Sequence, residues 1–351
     1  MTPKRITRRK LLAAGYLVPF VSASQLNIAR ALAGDEDWFF AYVGDMQPGS
    51  PRSFRFNPRW PENWKTCRQQ ILDLAPELLL VGGDLTRDGS IHRWELEEMK
   101  GDLNLPFPVH VIAGNMDTGN KHTTRPGRHR GRACQEEDKN VNVNSAQLRQ
   151  FADLFGPLWW SFLHKGVRFS GCADMVINSG LPEEEQFWSW AKDLAGKPKA
   201  AHHVWVTHYP PFIDGPDEPN WDIATHYRQW YFSVDLPGRC RLLDLFHATG
   251  VSVCISGHVH SYRSVEFDGI RYVLAPAPSF PQSLPGHTTD MTLGFLRFDV
   301  TGNGMRESLV PLKAVSKAEG GWGPGGHPKP ELRDYSLAQE RTANAPSAGW
   351  K

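Results

Sequence analysis

The 351-residue chain contains few of the features that define several large protein classes. Its five cysteines (Cys67, Cys134, Cys172, Cys240, Cys254) are widely spaced and form no C-x-x-C pair, which argues against a zinc ribbon and a dithiol redox motif. No run of about 18 uncharged apolar residues follows the N-terminal region, so a polytopic membrane protein is excluded. Neither sign of charge dominates. With 39 Lys and Arg against 38 Asp and Glu, the formal net charge is +1, and no nucleic-acid binding through a basic surface is indicated. There is no G-x-S-x-G, no P-loop and no dinucleotide-binding glycine pattern after any strand-like run, so serine-hydrolase and nucleotide-fold readings lack support. What is present is ordinary for a globular protein: 40% hydrophobic and 22% charged residues, which rules out wholesale disorder.

The first 33 residues read as an address. Arg8-Arg9 precede a modest apolar stretch from Leu11 to Ala23, and Ala31-Leu32-Ala33 supplies a small-x-small cleavage pattern. That order is expected of a twin-arginine signal peptide over residues 1–33, a better fit than a basic amphipathic helix. The expectation is a periplasmic or otherwise exported protein, handed to the twin-arginine export machinery, with no stable membrane anchor after signal cleavage. Outside the cytoplasm thiols oxidise, and five being odd, at least one cysteine should stay free.

Strand-like and helix-like segments alternate through the middle of the chain. Apolar runs at Trp38–Val43, Leu78–Val81, Pro108–Ala113, His203–Val206 and Val251–Ile255 each end on polar or metal-capable residues, with helical spacing over Asn63–Leu74 and Ile91–Leu103. This is the pattern of an α/β sheet with a site beyond its strand ends. Leu158–Ile177 reads as antiparallel strands and Glu183–Leu194 as an amphipathic helix. Lys121–Asn144 and Asp214–Tyr231 read as functional loops, and Asp268-Gly269 as a hairpin turn. One domain over residues 34–315 is expected, followed by a Gly/Pro-rich tail over 316–351, disordered or lying along the surface.

The strand-end residues form a set: Asp45 and Gln47, Asp84, Asn115, His208, then His258 and His260. All offer oxygen or imidazole nitrogen, donors suited to divalent Mn, Fe or Zn, and the absence of cysteine points to an open hydrolytic site rather than a closed structural one. In Gly257-His258-Val259-His260 two imidazoles two residues apart can face one site from an extended strand end.

Gly44-Asp45-Met46-Gln47, Gly83-Asp84 with Asp88, Gly114-Asn115-Met116-Asp117, Thr207-His208 and Gly257-His258-Val259-His260 together resemble the calcineurin-like metallophosphoesterase superfamily over roughly Trp38 to Val310. Phe155-Gly156-Pro157 and Tyr231-Phe232 look most like its calcineurin-like phosphoesterase domain-containing branch. The resemblance implies a four-layer α/β/β/α sandwich of the metallophosphoesterase type with two divalent metal ions. Asp45, Gln47, Asp84 and His260 would hold one ion. Asp84, as the bridge, would hold the other with Asn115, His208 and His258. It further implies an exported phosphohydrolase that cleaves phosphomonoesters or phosphodiesters by attack of a metal-bridged hydroxide.

Two positions depart from the family pattern: Gln47, where most members have histidine although the related branch carries D-x-Q too, and Met116, where the family has histidine. Gln47 is a neutral donor, and Met116 stands where the family's proton-donating imidazole sits; a thioether can neither donate a proton nor carry charge. Asp84, Asn115 and Asp117 are the expected catalytic residues. His122 is a candidate replacement acid, and Asn115 and His226 are candidate substrate contacts; the alternative for both histidines is a surface position. The rival to an enzyme is an exported metal-binding pseudoenzyme that lost proton donation at Met116.

Overall fold

Consecutive side chains of strand β1 (Trp38–Val43) point to opposite faces, and both faces are apolar. In the computed structural model, Trp38, Phe40 and Tyr42 join a core lying between two sheets, with Val167, Phe169, Val204, Val206 and Ile255 on its far side. Ala41 and Val43 face the other way and pack with Trp64, Cys67 and Ile71 of helix α1 (Arg59–Leu74) and with Leu96 and Met99 of α2 (Arg93–Asp102). Strands β2 (Leu79–Gly82), β8 (His202–Thr207) and β9 (Val253–Ser256) repeat this two-sided burial, which explains why their sequences read as continuous apolar runs.

The structure describes residues 37–53, 55–122, 128–129, 132–133, 142–222 and 225–323. The expected signal peptide, most of the loop expected over Lys121–Asn144, and the tail beyond residue 323 lie outside them.

The first sheet runs β13 (Gly304–Pro311), β12 (Gly294–Thr301), β1, β2, β3 (Val109–Ile112). The second runs β10 (Arg263–Phe267), β11 (Ile270–Leu274), β9, β8, β7 (Val167–Cys172), β6 (Trp159–His164). Two-residue strands β4 (Arg128–His129) and β5 (Arg132–Ala133) pair apart from both. β1, β2 and β3 are parallel, as are β7, β8, β9 and β11, while β12, β13, β10 and β6 are antiparallel additions. Phe40 lies opposite Phe298 in register, their rings stacked at 4.8 Å. Helix α4 (Ser145–Phe155) sends Leu148 and Phe151 into the same cluster as Leu96 and Met99, while helices α5 (Pro182–Ala195) and α7 (Gly238–Thr249) cover the second sheet, where Trp205 of β8 packs between Trp190 and Phe246. Helix, sheet, sheet and helix therefore stack in the four layers expected.

Some boundaries differ from the sequence reading. Helix α1 begins four residues before Asn63, because Pro61 falls in its first turn, where a missing N–H costs nothing. A short helix α6 (Tyr227–Phe232) closes the segment read as loop over Asp214–Tyr231. Asp268 and Gly269 both take positive φ, the geometry a two-residue hairpin turn needs. Past residue 315 the chain runs along the surface to Trp322, whose ring packs 4.9 Å from Phe56 and whose indole N–H donates to the Ser53 carbonyl at 3.1 Å. Cys67, Cys172, Cys240 and Cys254 are free thiols. No described helix is long and apolar enough to cross a membrane.

Candidate metal centre

The loops that leave β1, β2, β3, β8 and β9 meet at one edge of the two sheets, and all the candidate ligands sit on them. Helix α3 (Asn115–Thr118) opens directly after β3. Asp45, Gln47, Asp84, His258 and His260 all have positive φ, between 40° and 67°; they are five of the nine non-glycine residues so disposed among those described. Each such residue costs about 1–3 kcal/mol, so strain is concentrated where the ligands are. The glycines of the motifs make room for them. A Cβ on Gly257 would come 2.6 Å from Asp45 Oδ2, and one on Gly114 would collide with Asp84 Oδ1.

The three imidazoles share one arrangement. His208 Nδ1 donates to the Gly82 carbonyl, His258 Nε2 to the Tyr231 carbonyl and His260 Nδ1 to the Phe280 carbonyl, each at 2.9 Å. The opposite nitrogens face inward. His260 Nε2 lies 3.1 Å from Asp45 Oδ1, His208 Nε2 lies 3.2 Å from Asp84 Oδ1, and His258 Nδ1 lies 3.2 Å from His208 Nε2. A backbone carbonyl that fixes one ring nitrogen and orients the other is the usual support of a metal-binding histidine.

Two groups result: Asp45, Asp84 and His260, and Asp84, His208 and His258, with the ligand atoms of each group within 4.8 Å of one another. All are buried, and Asp84 belongs to both. Oxygen and imidazole donors gathered in this way fit two divalent cations sharing one carboxylate. Burial opposes charge on Asp84 and His208, yet their pairing overrides it: Asp84 is held down at about 2 and His208 is pushed up to about 10. His258 goes the other way, lowered by burial and by the neighbouring His208 charge.

Asn115 Oδ1 accepts from His208 Nε2 at 2.9 Å, so its oxygen faces the second group, while its amide nitrogen donates to Asn120 and to the Tyr231 hydroxyl. Gln47 Nε2 donates to Asp84 Oδ2 at 2.6 Å and its Oε1 accepts from Arg87 Nη1 at 2.8 Å. Gln47 is thus beside the first group, with its oxygen engaged by arginine. Asp117, expected among the catalytic residues, spends its carboxylate on the N–H groups of Leu85, Thr86 and Gly114 and on the Thr86 hydroxyl. It locks the β2 and β3 loops together and is a positioning residue.

His122 and His226 do not join the centre. His122 is half-buried with Nε2 against the Val143 carbonyl at 2.8 Å. His226 is exposed, bonded to the Thr225 hydroxyl and beside Trp221. Proximity in sequence to the loops of the centre does not carry either side chain into it.

Four further residues complete the surroundings: buried Asp174, Arg55 and Arg87, and half-buried Tyr231. Asp174 accepts from the N–H groups of His208 and Tyr209, fixing the β8 loop. Arg55, in the loop between β1 and α1, binds Asp88 through Nε and Nη2, reaches the Arg87 carbonyl, and touches Met116 Sδ at 3.3 Å. Arg87 lies within the Gly83–Asp88 motif, with its guanidinium over the rings of Trp60 and Phe280. Tyr231 sits with its hydroxyl on Asn115; burial and Asp84 push its phenol up to about 12 against the pull of Arg55 and Arg87. Arg87 was within reach of the motif, and Tyr231 stood in the Tyr231-Phe232 pair quoted for the branch resemblance but with no role attached; Arg55 carried no sequence signal.

A family model described as calcineurin-like phosphoesterase matches residues 40–262. Serine/threonine-protein phosphatase CPPED1 of Homo sapiens is 21% identical over 240 residues, which is 62% of this chain and 66% of that protein. The same-named protein of Danio rerio is 24% identical over 71% of this chain and 80% of its own length. This chain therefore spans about two thirds of the human relative. Among solved structures, purple acid phosphatase PPD1 from yellow lupin (Lupinus luteus) seeds superposes with a TM-score of 0.56 at 14% identity, over 91% of this chain and 58% of that one, a likeness of fold.

Proposed function

The chain belongs to the calcineurin-like phosphoesterase family, and from that premise we propose that it is an exported, dinuclear metal-dependent phosphohydrolase acting on phosphate monoesters. The observation that carries this is the convergence of three imidazoles, each tethered to a backbone carbonyl, on two buried carboxylates. Two bound divalent cations would supply the charge that activates a water and neutralises phosphoryl oxygens.

The chain's own residues do the rest. Asp84 would hold both ions at a fixed spacing, with Asp45 and His260 on one side and His208 and His258 on the other. Asn115 would present its amide oxygen to the second ion and keep its N–H₂ on Asn120 and Tyr231. Asp117 and Asp174 would keep the loops from moving as charge changes. The preference for monoesters over diesters follows the printed activity of the CPPED1 relatives, which are protein phosphatases. Export rests on Arg8-Arg9, the apolar stretch and Ala31-Leu32-Ala33.

The test is metal analysis of the purified protein lacking residues 1–33, together with hydrolysis of aryl and alkyl phosphate esters. Two ions per chain and turnover abolished by chelation are expected; no ion, or no turnover with two ions bound, refutes it. Met116 favours a second reading, a metal-loaded protein without catalysis, and the two-ion, no-turnover outcome is its signature.

A further inference from the structure

We propose that Arg55 and Arg87 form a guanidinium clamp for the phosphoryl group, taking over on this side of the centre the work of charge that Gln47 and Met116 cannot do. The inference rests on the phosphohydrolase reading above and adds to it how the leaving oxygen is stabilised.

The two neutral residues at the centre are each touched by a buried arginine. Arg87 Nη1 donates to Gln47 Oε1 at 2.8 Å, and Arg55 Nη2 meets Met116 Sδ at 3.3 Å. The Arg55 guanidinium is tied to the Arg87 main chain, since its Nη2 also donates to the Arg87 backbone carbonyl at 2.8 Å. Arg55 is further anchored on Asp88, whose second oxygen accepts from the Arg55 backbone N–H at 2.8 Å. Arg87 is braced under Trp60 and Phe280, and Phe280 in turn packs 4.5 Å from the His260 ring. Both are more than nine-tenths buried (Arg55 8% and Arg87 6% exposed), and each abuts one of the two neutral residues beside the candidate ligands. Two planar donors preset in this way suit a tetrahedral dianion, for which guanidinium forks are matched in shape and charge.

In the reaction a water oxygen, releasing one proton to solvent, forms the new bond to phosphorus as the ester P–O bond breaks. The leaving oxygen keeps the bonding pair, is held by Arg55 N–H groups as it departs, and takes its proton from solvent. Ester and water become alcohol and phosphate. Hydrogen bonding to a developing anion replaces protonation, and such a preset donor is worth about 10²–10³ in kcat.

The experiment compares wild type with Arg55→Gln, Arg55→Lys and Arg87→Gln, each reloaded with manganese to equal occupancy. Hydrolysis of 4-nitrophenyl phosphate and of an alkyl phosphate is measured, and inorganic phosphate is titrated calorimetrically. Arg55→Gln should lower alkyl-ester kcat about 10²-fold and aryl-ester kcat by under about tenfold. Arg87→Gln should weaken phosphate binding about tenfold, the worth of one charge-assisted hydrogen bond. If Arg55→Gln does not fold because Asp88 is stranded, Arg55→Lys keeps the charge without the fork and should show the same selective loss on the alkyl ester. Equal loss on both esters, or wild-type phosphate affinity in Arg87→Gln, overturns the clamp. If wild type hydrolyses neither ester the phosphohydrolase reading fails instead, and the phosphate titration still decides whether the clamp exists.

Discussion

Replacing Asp84 by Asn should remove both cations, whereas Asp45→Asn should remove one. The distinction follows from Asp84 belonging to both ligand groups while Asp45 belongs to one. A unit charge about 4 Å from a divalent ion, at an effective dielectric near 20, contributes on the order of 4 kcal/mol per unit charge on the ion. Losing even half of that weakens each site by more than about tenfold. The offset is smaller. Asp84 also keeps a proton on His208 across a 3.2 Å contact, and Asn would release that proton and ease the second ion's entry. The ion beside Asp45 and His260 gains no such relief, so its loss should be the larger. The assay is exhaustive chelation, reloading with graded manganese, and counting ions by mass spectrometry at each free concentration, with circular dichroism as the folding control. An Asp84→Asn protein that keeps one ion at wild-type affinity would refute the shared-carboxylate geometry.

Three further outcomes are expected. Glu95 is pushed up to about 8 from 4.5 by burial and then by Asp88, so the folded state holds its proton more tightly than the unfolded one. The stability this confers is complete below about 4.5 and is lost as pH rises through 8; Glu95→Gln should flatten the urea midpoint between pH 5 and pH 8, and an equal slope in both proteins would exclude Glu95 as the source. Trp322→Ala removes the ring contact with Phe56 and the bond to Ser53, which should cost about 2 kcal/mol and lower kcat by loosening the Arg55 loop; an unchanged urea midpoint would show that the strap carries no load. Replacing Arg8 and Arg9 together by Lys should trap the precursor in the cytoplasm, and normal export in a cell-fractionation blot would remove the twin-arginine reading.

The convergence of the candidate ligands was legible because an α/β sheet brings the ends of its parallel strands to one edge, so residues far apart in sequence, from Asp45 to His260, could be grouped by where each apolar run stops. The two-sided burial of β1, β2, β8 and β9 was legible for the same reason: a strand covered on both faces has no polar alternation. What surrounds the ligands was not. Arg55 lies in a loop with no periodicity, 33 residues before the Asp88 it binds, and only the closing of that loop over the β2 motif brings it to Met116. Tyr231 reaches Asn115 through a helix of six residues, too short to show a helical pattern against its Trp- and Pro-rich context. His122 and His226 failed in the opposite sense. Their neighbours in sequence touch the centre, as Asn120 does through Asn115, but the side chains themselves go to Val143 and Thr225.

The positive-φ residues clarify why single ligand substitutions are informative here. The strained loops are not held in place by the ligand side chains alone. Asp117 ties the β2 loop to the β3 loop through four donors, Asp174 pins two successive N–H groups of the β8 loop, and Ser279 binds the Asp45 carbonyl at 2.7 Å. Asp117, Asp174 and Ser279 brace without being candidate ligands, and where a candidate ligand also braces backbone, as Asp84 does by accepting from the Met116 N–H at 2.8 Å, an Asn oxygen can keep that bond. Altering Asp84 or His260 therefore changes what the centre binds while the supports keep its shape. Altering Asp117 or Asp174 frees strained backbone and should disturb every ligand on the loop at once. Comparing Asp84→Asn with Asp117→Asn consequently separates loss of a donor from loss of geometry, and only the second should broaden the unfolding transition along with the metal isotherm.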